Sequence, residues 1–388
     1  MDQAAKHKPY GDLGIIALKS FREMGAEVDA RVRARRRESG LFGEDDIPST
    51  FLVKTDEVRF SNGEGKVKLT NTVRGKDIYV LCDVGNYSCT YDMYGFRNHM
   101  GPDEHFQDIK RTLSAIAGKS RRITVIMPRL YASRQHRRKS RESLDCAMAL
   151  QELERLGVTS VITFDVHDNN IQNAIPLGSF ENLYPTYDMV RALLSREKDL
   201  ALEKGRTLVI SPDTGAMDRA IYYSGVLGTD IGLFYKRRDL RTVINGSNPI
   251  ITHEYMGRPV EGMDVLIVDD MIASGESVLD IAAELKARNA KRIFVAATFA
   301  MFTEGLGKFN EYYERGLFTR VYSTNLTYIP PEAMSAPWFK IVDMSNFLSK
   351  LIDTLNCDES VAPLKDATAI IKDLLEDSYG LHSAVPQA

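Results

Sequence analysis

The segment Val265 to Ser277, Val-Leu-Ile-Val-Asp-Asp-Met-Ile-Ala-Ser-Gly-Glu-Ser, sets two adjacent carboxylates and a small-residue turn behind an apolar run. An apolar run of this length, bounded by turn residues, is the pattern of a buried parallel strand. Asp269 and Asp270 then fall at its carboxyl end, where open α/β sheets bind their ligands. Ionised carboxylates only accept hydrogen bonds, which suits paired hydroxyl donors such as the 2- and 3-hydroxyls of a ribose. The turn Ala273, Ser274, Gly275, Glu276 and Ser277 opens a helix over Val278 to Arg288, so its backbone N–H groups and hydroxyls converge on one anion, assisted by the helix dipole. Sugar and phosphate are thus read by one loop. The plainer alternative is that the acids end the strand and that Ser274 or Ser277 caps the helix.

Two further strand ends carry chemistry. His167 follows the apolar stretch Val161 to Phe164 and stands between Asp165 and Asp168, a setting that suits a Mg²⁺ site. Asp213 follows the strand Thr207 to Ile210 and Ser211-Pro212. With Thr214, Gly215 and Ala216 it makes a second turn able to cradle a pyrophosphate through backbone donors. The cations Lys236, Arg237 and Arg238 come after the strand Ile231 to Tyr235, and by themselves read as a solvated basic loop.

The elements that position these residues alternate. Strands are expected at Phe51 to Val53, Lys66 to Leu69, Ile78 to Leu81, Ile123 to Met127, Ser160 to Asp165, Thr207 to Ile210, Asp264 to Val268 and Arg292 to Thr298. Helices are expected at residues 14 to 39, His105 to Ala117, Leu144 to Leu156, Tyr187 to Ser195, Met217 to Ser224 and Ala367 to Leu375. This alternation predicts an α/β protein of mainly parallel sheets flanked by helices. The 388 residues exceed the size at which single cores stop growing, and the proline-rich dip at Pro176 to Pro185 marks the boundary. The expected domains are residues 1–184 with an N-terminal extension, 185–350 carrying the ribose-phosphate loop, and a helical tail, 351–388, packing back. The two halves read as possible distant copies of one α/β unit.

At 44% hydrophobic and 27% charged the chain is globular, and a net charge of −3 calls for no nucleic-acid or anionic-membrane partner. Four cysteines without CxxC spacing, no leader and no membrane-length apolar stretch predict a soluble cytoplasmic protein with reduced thiols. The basic run Arg31, Arg33, Arg35, Arg36 and Arg37 reads as a solvated helix face.

The Val265 to Ser277 segment resembles the ribose-phosphate signature of phosphoribosyltransferase-type folds. Further segments, in matching order, resemble the ribose-phosphate diphosphokinase (phosphoribosyl pyrophosphate synthetase) family over most of residues 51 to 350. They are Arg59 to Glu64, Val73 to Asp77, Asp165-Val166-His167 with Ile171-Gln172, Asn182-Leu183-Tyr184, Ser211 to Gly215, and Lys236-Arg237-Arg238. The resemblance implies two phosphoribosyltransferase-type domains, ATP and ribose 5-phosphate as substrates, Mg²⁺ as cofactor, and a homo-oligomer, dimer or hexamer. It further implies His167 and Asp213 near the metal, Asp213, Thr214, Gly215 and Ala216 as the pyrophosphate loop, and Lys236 and Arg237 on a mobile flap that stabilises the transferring group. Phe60, Asn62, Glu64, Arg134 and Gln135 would hold ATP, partly across a subunit interface.

The likeness also has departures. Asn62 stands where the family has an acid, His136 where aspartate is usual, and Ala273 where the ribose loop begins with aspartate. The N-terminal segment is long, and extra residues occur around Asn86 to Gly101. These mark a divergent member. A catalytically weak homologue that regulates an active partner, or a phosphoribosyltransferase consuming the product, are the competing readings.

Overall fold

The computed structural model describes residues 9–138, 140–238 and 250–378. Its chain divides into two compact units. One comprises the described residues up to Tyr184 with Leu326–Tyr328 and Asp343–Lys365; the other comprises Pro185–Asn325, Ile329–Val342 and the described residues from Asp366.

In the first unit the order is β1 (Leu13–Ala17), α1 (Arg22–Ser39), β2 (Thr55–Arg59), β3 (Gly65–Leu69), β4 (Asp77–Leu81), β5 (Thr90–Met93), β6 (Phe96–His99), α2 (Pro102–Ile116), β7 (Arg122–Ile126), α3 (Asp145–Arg155), β8 (Ser160–Phe164) and β9 (Ser179–Leu183). Strands β1-β4-β7-β8-β9 form a wholly parallel sheet, while β2–β3 and β5–β6 are separate antiparallel hairpins. In β1, β4, β7 and β8 both faces are largely buried, which is why these strands are mostly apolar rather than alternating, whereas the edge strand β9 is half-exposed and polar. Ile78, Val80, Ile123 and Val125 pack with Ile109, Leu113 and Ile116 of α2 and with Leu150 and Leu153 of α3.

The second unit continues with α4 (Thr186–Arg196), β10 (Thr207–Ser211), α5 (Met217–Leu227), β11 (Asp230–Arg238), β12 (Ile250–Met256), β13 (Asp264–Ile272), α6 (Glu276–Ala287), β14 (Arg292–Ala300), α7 (Gly307–Glu314), β15 (Arg320–Thr324), α8 (Pro331–Ser335) and β16 (Phe339–Val342). Its sheet runs β12-β11-β10-β13-β14-β15-β16, parallel except at the β11–β12 edge. The core under α6 and α7 is aromatic: Phe309 stacks on Trp338 at 5.2 Å and meets Phe302 edge-on at 5.0 Å.

The two sheets share a device. At the start of β4, Asp77 takes two hydrogen bonds from Arg122 of β7, at 2.8 and 2.7 Å. At the start of β13, Asp264 takes two from Arg292 of β14, at 2.9 and 2.7 Å. The residues of each pair are register partners on adjacent parallel strands. The same bidentate pair thus recurs at corresponding strand starts in both units.

After β16 come α9 (Ser345–Asn356), α10 (Ala362–Lys365) and α11 (Thr368–Ser378). Where the second expected domain ran to residue 350, residues 343–365 pack in the first unit. The seat of α9 corrects the reading of the basic run. Arg31 pairs with Asp343 at 3.1 Å and Arg35 bonds Asn346 at 3.2 Å. Arg36, only 2% exposed, bonds Asp353 at 2.8 Å and Asn356 at 2.6 Å, with its guanidinium 4.5 Å from the centre of the Phe42 ring. Arg31, Arg35 and Arg36 thus tie α1 to the segment that carries α9, with only Arg36 withdrawn from water; Arg33 pairs within α1 with Asp29, and Arg37 stays exposed as expected.

Other expectations are corrected as well. Residues 13–17 are the strand β1, not the start of a helix, because Leu13 to Ala17 add to the edge of β4. Phe51 to Val53 form no strand beyond a single bridge between Leu52 and Ile15. Among the described residues, no helix is long and apolar enough to cross a membrane.

Candidate functional site

Strand β13 is longer than its apolar run. It pairs with β14 from Asp264 to Ile272, so Asp269 and Asp270 lie within the strand rather than after it. On the other side β10 pairs with β13 only as far as Ile267. Beyond that point the backbone loses its β10 partners, and the acids compensate: Asp269 Oδ1 accepts the Asp270 N–H and Asp270 Oδ1 accepts the Met271 N–H, both at 2.9 Å. Asp270 is buried, while the Asp269 side chain is 26% exposed and faces the opening left by β10.

The turn that follows is built around Gly275, whose φ of +86° places it in the left-handed region that favours glycine. A Cβ at this position would stand 2.2 Å from Phe309 Cζ. The turn therefore rests directly on the aromatic core. Ala273 O accepts the Thr303 N–H at 2.9 Å, and Ser274 Oγ accepts the Glu276 N–H at 3.4 Å. The first helical N–H groups of α6 have no intrahelical partners by construction, so Ser277 and Val278 present donors to the turn. Glu276 points outward and pairs with Lys308 at 3.1 Å.

The turn after β10 joins this corner. Ser211 Oγ donates to Asp213 O at 2.7 Å, and Asp213 Oδ1 accepts the N–H groups of Gly215 and Ala216 at 2.9 and 3.2 Å. The donors expected to cradle a pyrophosphate are thus held by the turn's own aspartate. An incoming anion would exchange with that carboxylate, freeing it for a cation or hydroxyl.

Arg219, in the first turn of α5, lies with Nη1 3.8 Å from Asp269 Oδ1 and is 11% exposed. It was not foreseen from the sequence. A cation in the first turn of a helix opposes the helix dipole, and that exception was the available signal of a nearby anion. Burial raises the Asp269 pKa well above the ordinary carboxylate range; Asp270 adds repulsion, Arg219 pulls the other way, and Asp213 contributes further repulsion. Three acids and one arginine thus leave an excess of negative charge in one corner.

Lys236 and Arg237 are backbone members of β11, paired with His253 and Thr252 of β12. Their side chains lie outside the described part of the structure, as do residues 239–249.

The remaining expected residues belong to the first unit. Phe60, Asn62 and Glu64 form the exposed turn between β2 and β3: Phe60 N–H donates to Glu64 O at 2.8 Å, and Glu64 N–H to Asn62 Oδ1 at 3.1 Å. Asn62 Nδ2 donates to Glu64 Oε2 at 3.1 Å, so the amide binds its neighbour where a carboxylate would repel it. Arg134 and Gln135 sit exposed in a short 3-10 turn that starts after Ala132, whose φ is +54°. His136 lies 3.2 Å from Asp168 Oδ2, and its ring centre is 5.4 Å from that of His167. His167 itself is exposed beyond β8.

Among the described residues no group of three or more His, Cys, Asp or Glu makes a ready metal cage. Mg²⁺ does not require one, since it binds through one or two carboxylates plus phosphate oxygens and keeps its waters. The donor set in the second unit fits it: Asp213 and Asp269 are oxygen ligands in a corner whose mutual repulsion a cation would relieve. His167 would be an unusual ligand for so hard an ion.

Two family models match the chain: the N-terminal domain of ribose phosphate pyrophosphokinase over residues 13–157, and the phosphoribosyl transferase domain over residues 179–326. The ribose-phosphate pyrophosphokinase of Chromobacterium violaceum is 27% identical over 316 residues, 81% of this chain and 87% of its own. That of Vibrio parahaemolyticus is 27% identical over 310 residues, 79% and 89% of the two chains. Among solved structures, phosphoribosylpyrophosphate synthetase from Mycobacterium smegmatis superposes with a TM-score of 0.69 at 19% identity, covering 89% of this chain and 98% of that one. At that identity the superposition speaks for the fold.

Proposed function

Because the chain belongs to the ribose-phosphate pyrophosphokinase family, we propose that it transfers the pyrophosphoryl group of Mg-ATP to the anomeric hydroxyl of ribose 5-phosphate, giving phosphoribosyl pyrophosphate and AMP. The observation that carries this reading is the corner of Asp213, Arg219, Asp269 and the Ala273 to Ser277 turn, where hydroxyl acceptors adjoin an anion-binding helix start.

In this reading Asp269 and Asp270 accept from the ribose hydroxyls, Asp270 also holding the Met271 N–H through Oδ1. Ala273, Ser274, Gly275, Glu276 and Ser277 hold the 5-phosphate on backbone donors and hydroxyls. The anomeric oxygen attacks the β-phosphorus of ATP, the bond from that phosphorus to the α,β-bridging oxygen breaks, AMP leaves, and the hydroxyl proton is lost to solvent. Lys236 and Arg237 neutralise charge growing on the transferred phosphates, and the N–H groups of Thr214, Gly215 and Ala216 receive the new pyrophosphate. Phe60, Asn62, Glu64, Arg134 and Gln135 hold the nucleotide. Asp213 and His167 would hold Mg²⁺, which when bound supplies charge neutralisation on the phosphate oxygens. The enzyme would act as a homo-oligomer in the cytoplasm, consistent with four unpaired cysteine thiols.

The test is product analysis with ribose 5-phosphate, ATP and Mg²⁺. AMP formed in step with phosphoribosyl pyrophosphate is expected; ADP, or no turnover, overturns the reading. Replacing Lys236 with alanine should lower turnover by about 10²- to 10³-fold, the usual loss for one electrostatic donor, with the KM for ribose 5-phosphate little changed.

A further inference from the structure

The hairpin β5–β6 spans Thr90 to His99, within the stretch Asn86 to Gly101. It turns at Tyr94 and Gly95, both with positive φ, +49° and +81°, which is the tight hairpin turn whose twist suits its strands. A tyrosine is costly in that position, and such strain persists only where surrounding structure holds it. Here the Tyr94 N–H donates to Ser61 O at 3.0 Å, inside the Phe60 to Glu64 turn. The Met93 thioether fills the space beside Gly63, with Sδ 2.6 Å from where a Cβ would stand. One hairpin tip is thus seated on the other.

The base of this arm is anchored. Tyr91 Oη donates to Glu104 Oε1 at 2.8 Å, and the Arg59 guanidinium, bonded to Asp108 at 2.7 Å, lies 5.6 Å over the Tyr91 ring. Lys19 Nζ donates to Thr90 O at 3.1 Å, and His99 stacks on Tyr87 at 4.1 Å. At the joined tips, however, large apolar side chains stand in the open: Phe60 is 48%, Tyr94 75% and Phe96 74% exposed. Exposed aromatic surface on a braced scaffold, next to a turn of polar acceptors, is the chemistry of nucleobase stacking.

We infer that the β5–β6 hairpin is a nucleotide-binding element: Met93 and the Tyr94 backbone position the Phe60 to Glu64 turn, and the Tyr94 ring adds stacking surface for the purine base. This rests on the reading of Phe60, Asn62 and Glu64 as nucleotide contacts. Tyr94 would touch the nucleotide, whereas Met93 acts only through the turn.

The experiment varies ATP and ribose 5-phosphate independently in initial-rate assays on the full chain. Met93→Ala should raise the KM for ATP about tenfold and leave that for ribose 5-phosphate within about twofold, and Met93→Leu should restore it, since a side chain of similar volume refills the space. Tyr94→Gly relieves the positive-φ strain and keeps the N–H, so a several-fold rise in the KM for ATP isolates the ring. Phe60→Ala separates the two layers of the argument. If it leaves the KM for ATP unchanged, the nucleotide reading of the turn falls. If it raises that KM while Met93→Ala and Tyr94→Gly do not, the hairpin inference falls and the turn reading stands. Equal rises in both KM values for the hairpin variants would also overturn the inference, because they report a general loss of structure.

Discussion

Replacing Gly275 with alanine tests whether the ribose-phosphate turn is held by the aromatic core beneath it. The new methyl group must adopt φ near +86° and would meet Phe309 at 2.2 Å from Cζ and 2.3 Å from Cε2. Phe309 has no room to retreat: it is fully buried, stacked on Trp338, and edge-on to Phe302 and Phe318. The left-handed conformation costs a non-glycine residue about 1–2 kcal/mol. Overpacking a filled core adds about 1–3 kcal/mol. The sum, about 2–5 kcal/mol, corresponds to a fall of roughly 4–20 °C in the midpoint of a unit of this size. Calorimetry of the full chain reads that fall, and the KM for ribose 5-phosphate should rise with it as the turn tilts away from the anion. Shortening the ring in Gly275→Ala/Phe309→Leu should recover part of the loss, so that the double variant is less destabilised than the two single losses added. A midpoint within about 2 °C of the parent, with an unchanged KM, would refute the packing argument, since a clash of this depth cannot be worth under about 1 kcal/mol.

Three other outcomes follow from the same geometry. Arg36→Met leaves Asp353 and Asn356 without their buried partner and should cost about 3–5 kcal/mol, read as a lower denaturant midpoint for the first unit; an unchanged midpoint would mean the clamp is dispensable. Asp269→Asn keeps an oxygen for the Asp270 N–H while removing charge from the crowded corner. The folded pKa of Asp269 is raised, so its contribution to stability is present below the unfolded value of about 4 and is lost as pH rises through the folded value. The asparagine variant should therefore gain thermal stability over the parent as pH rises above about 4 and lose ribose 5-phosphate binding, and a stability gap independent of pH would contradict this. Arg219→Met should make the corner still more negative and weaken binding of any anionic substrate there. Partial recovery in Arg219→Lys is the check, because a lysine keeps the charge without the planar fork.

The sequence by itself determined the strands and helices whose burial is complete on a single element. Val265 to Val268 is apolar without interruption, and Ile123 to Met127 is broken only by the buried Thr124, because both sheet faces are covered, and such runs need no knowledge of their neighbours. It also placed the acids and the small-residue turn at the end of one such run, since order along the chain is order along the strand. Features that depend on pairing were out of reach. Gly14 to Ala17 read as helix because their partner, β4, lies more than sixty residues away. The β5–β6 hairpin turns on Tyr-Gly, which lacks the Asn-Gly signal, and its strained tyrosine is tolerated because Ser61 receives its N–H. Arg36 read as solvated because Asp353 and Asn356 stand more than three hundred positions along the chain. Likewise Arg219 acquires its meaning only where β10 stops short of β13 and exposes Asp269 to the first turn of α5. A carboxylate's partner is set by distance in space, and that quantity arises only when the sheet has closed.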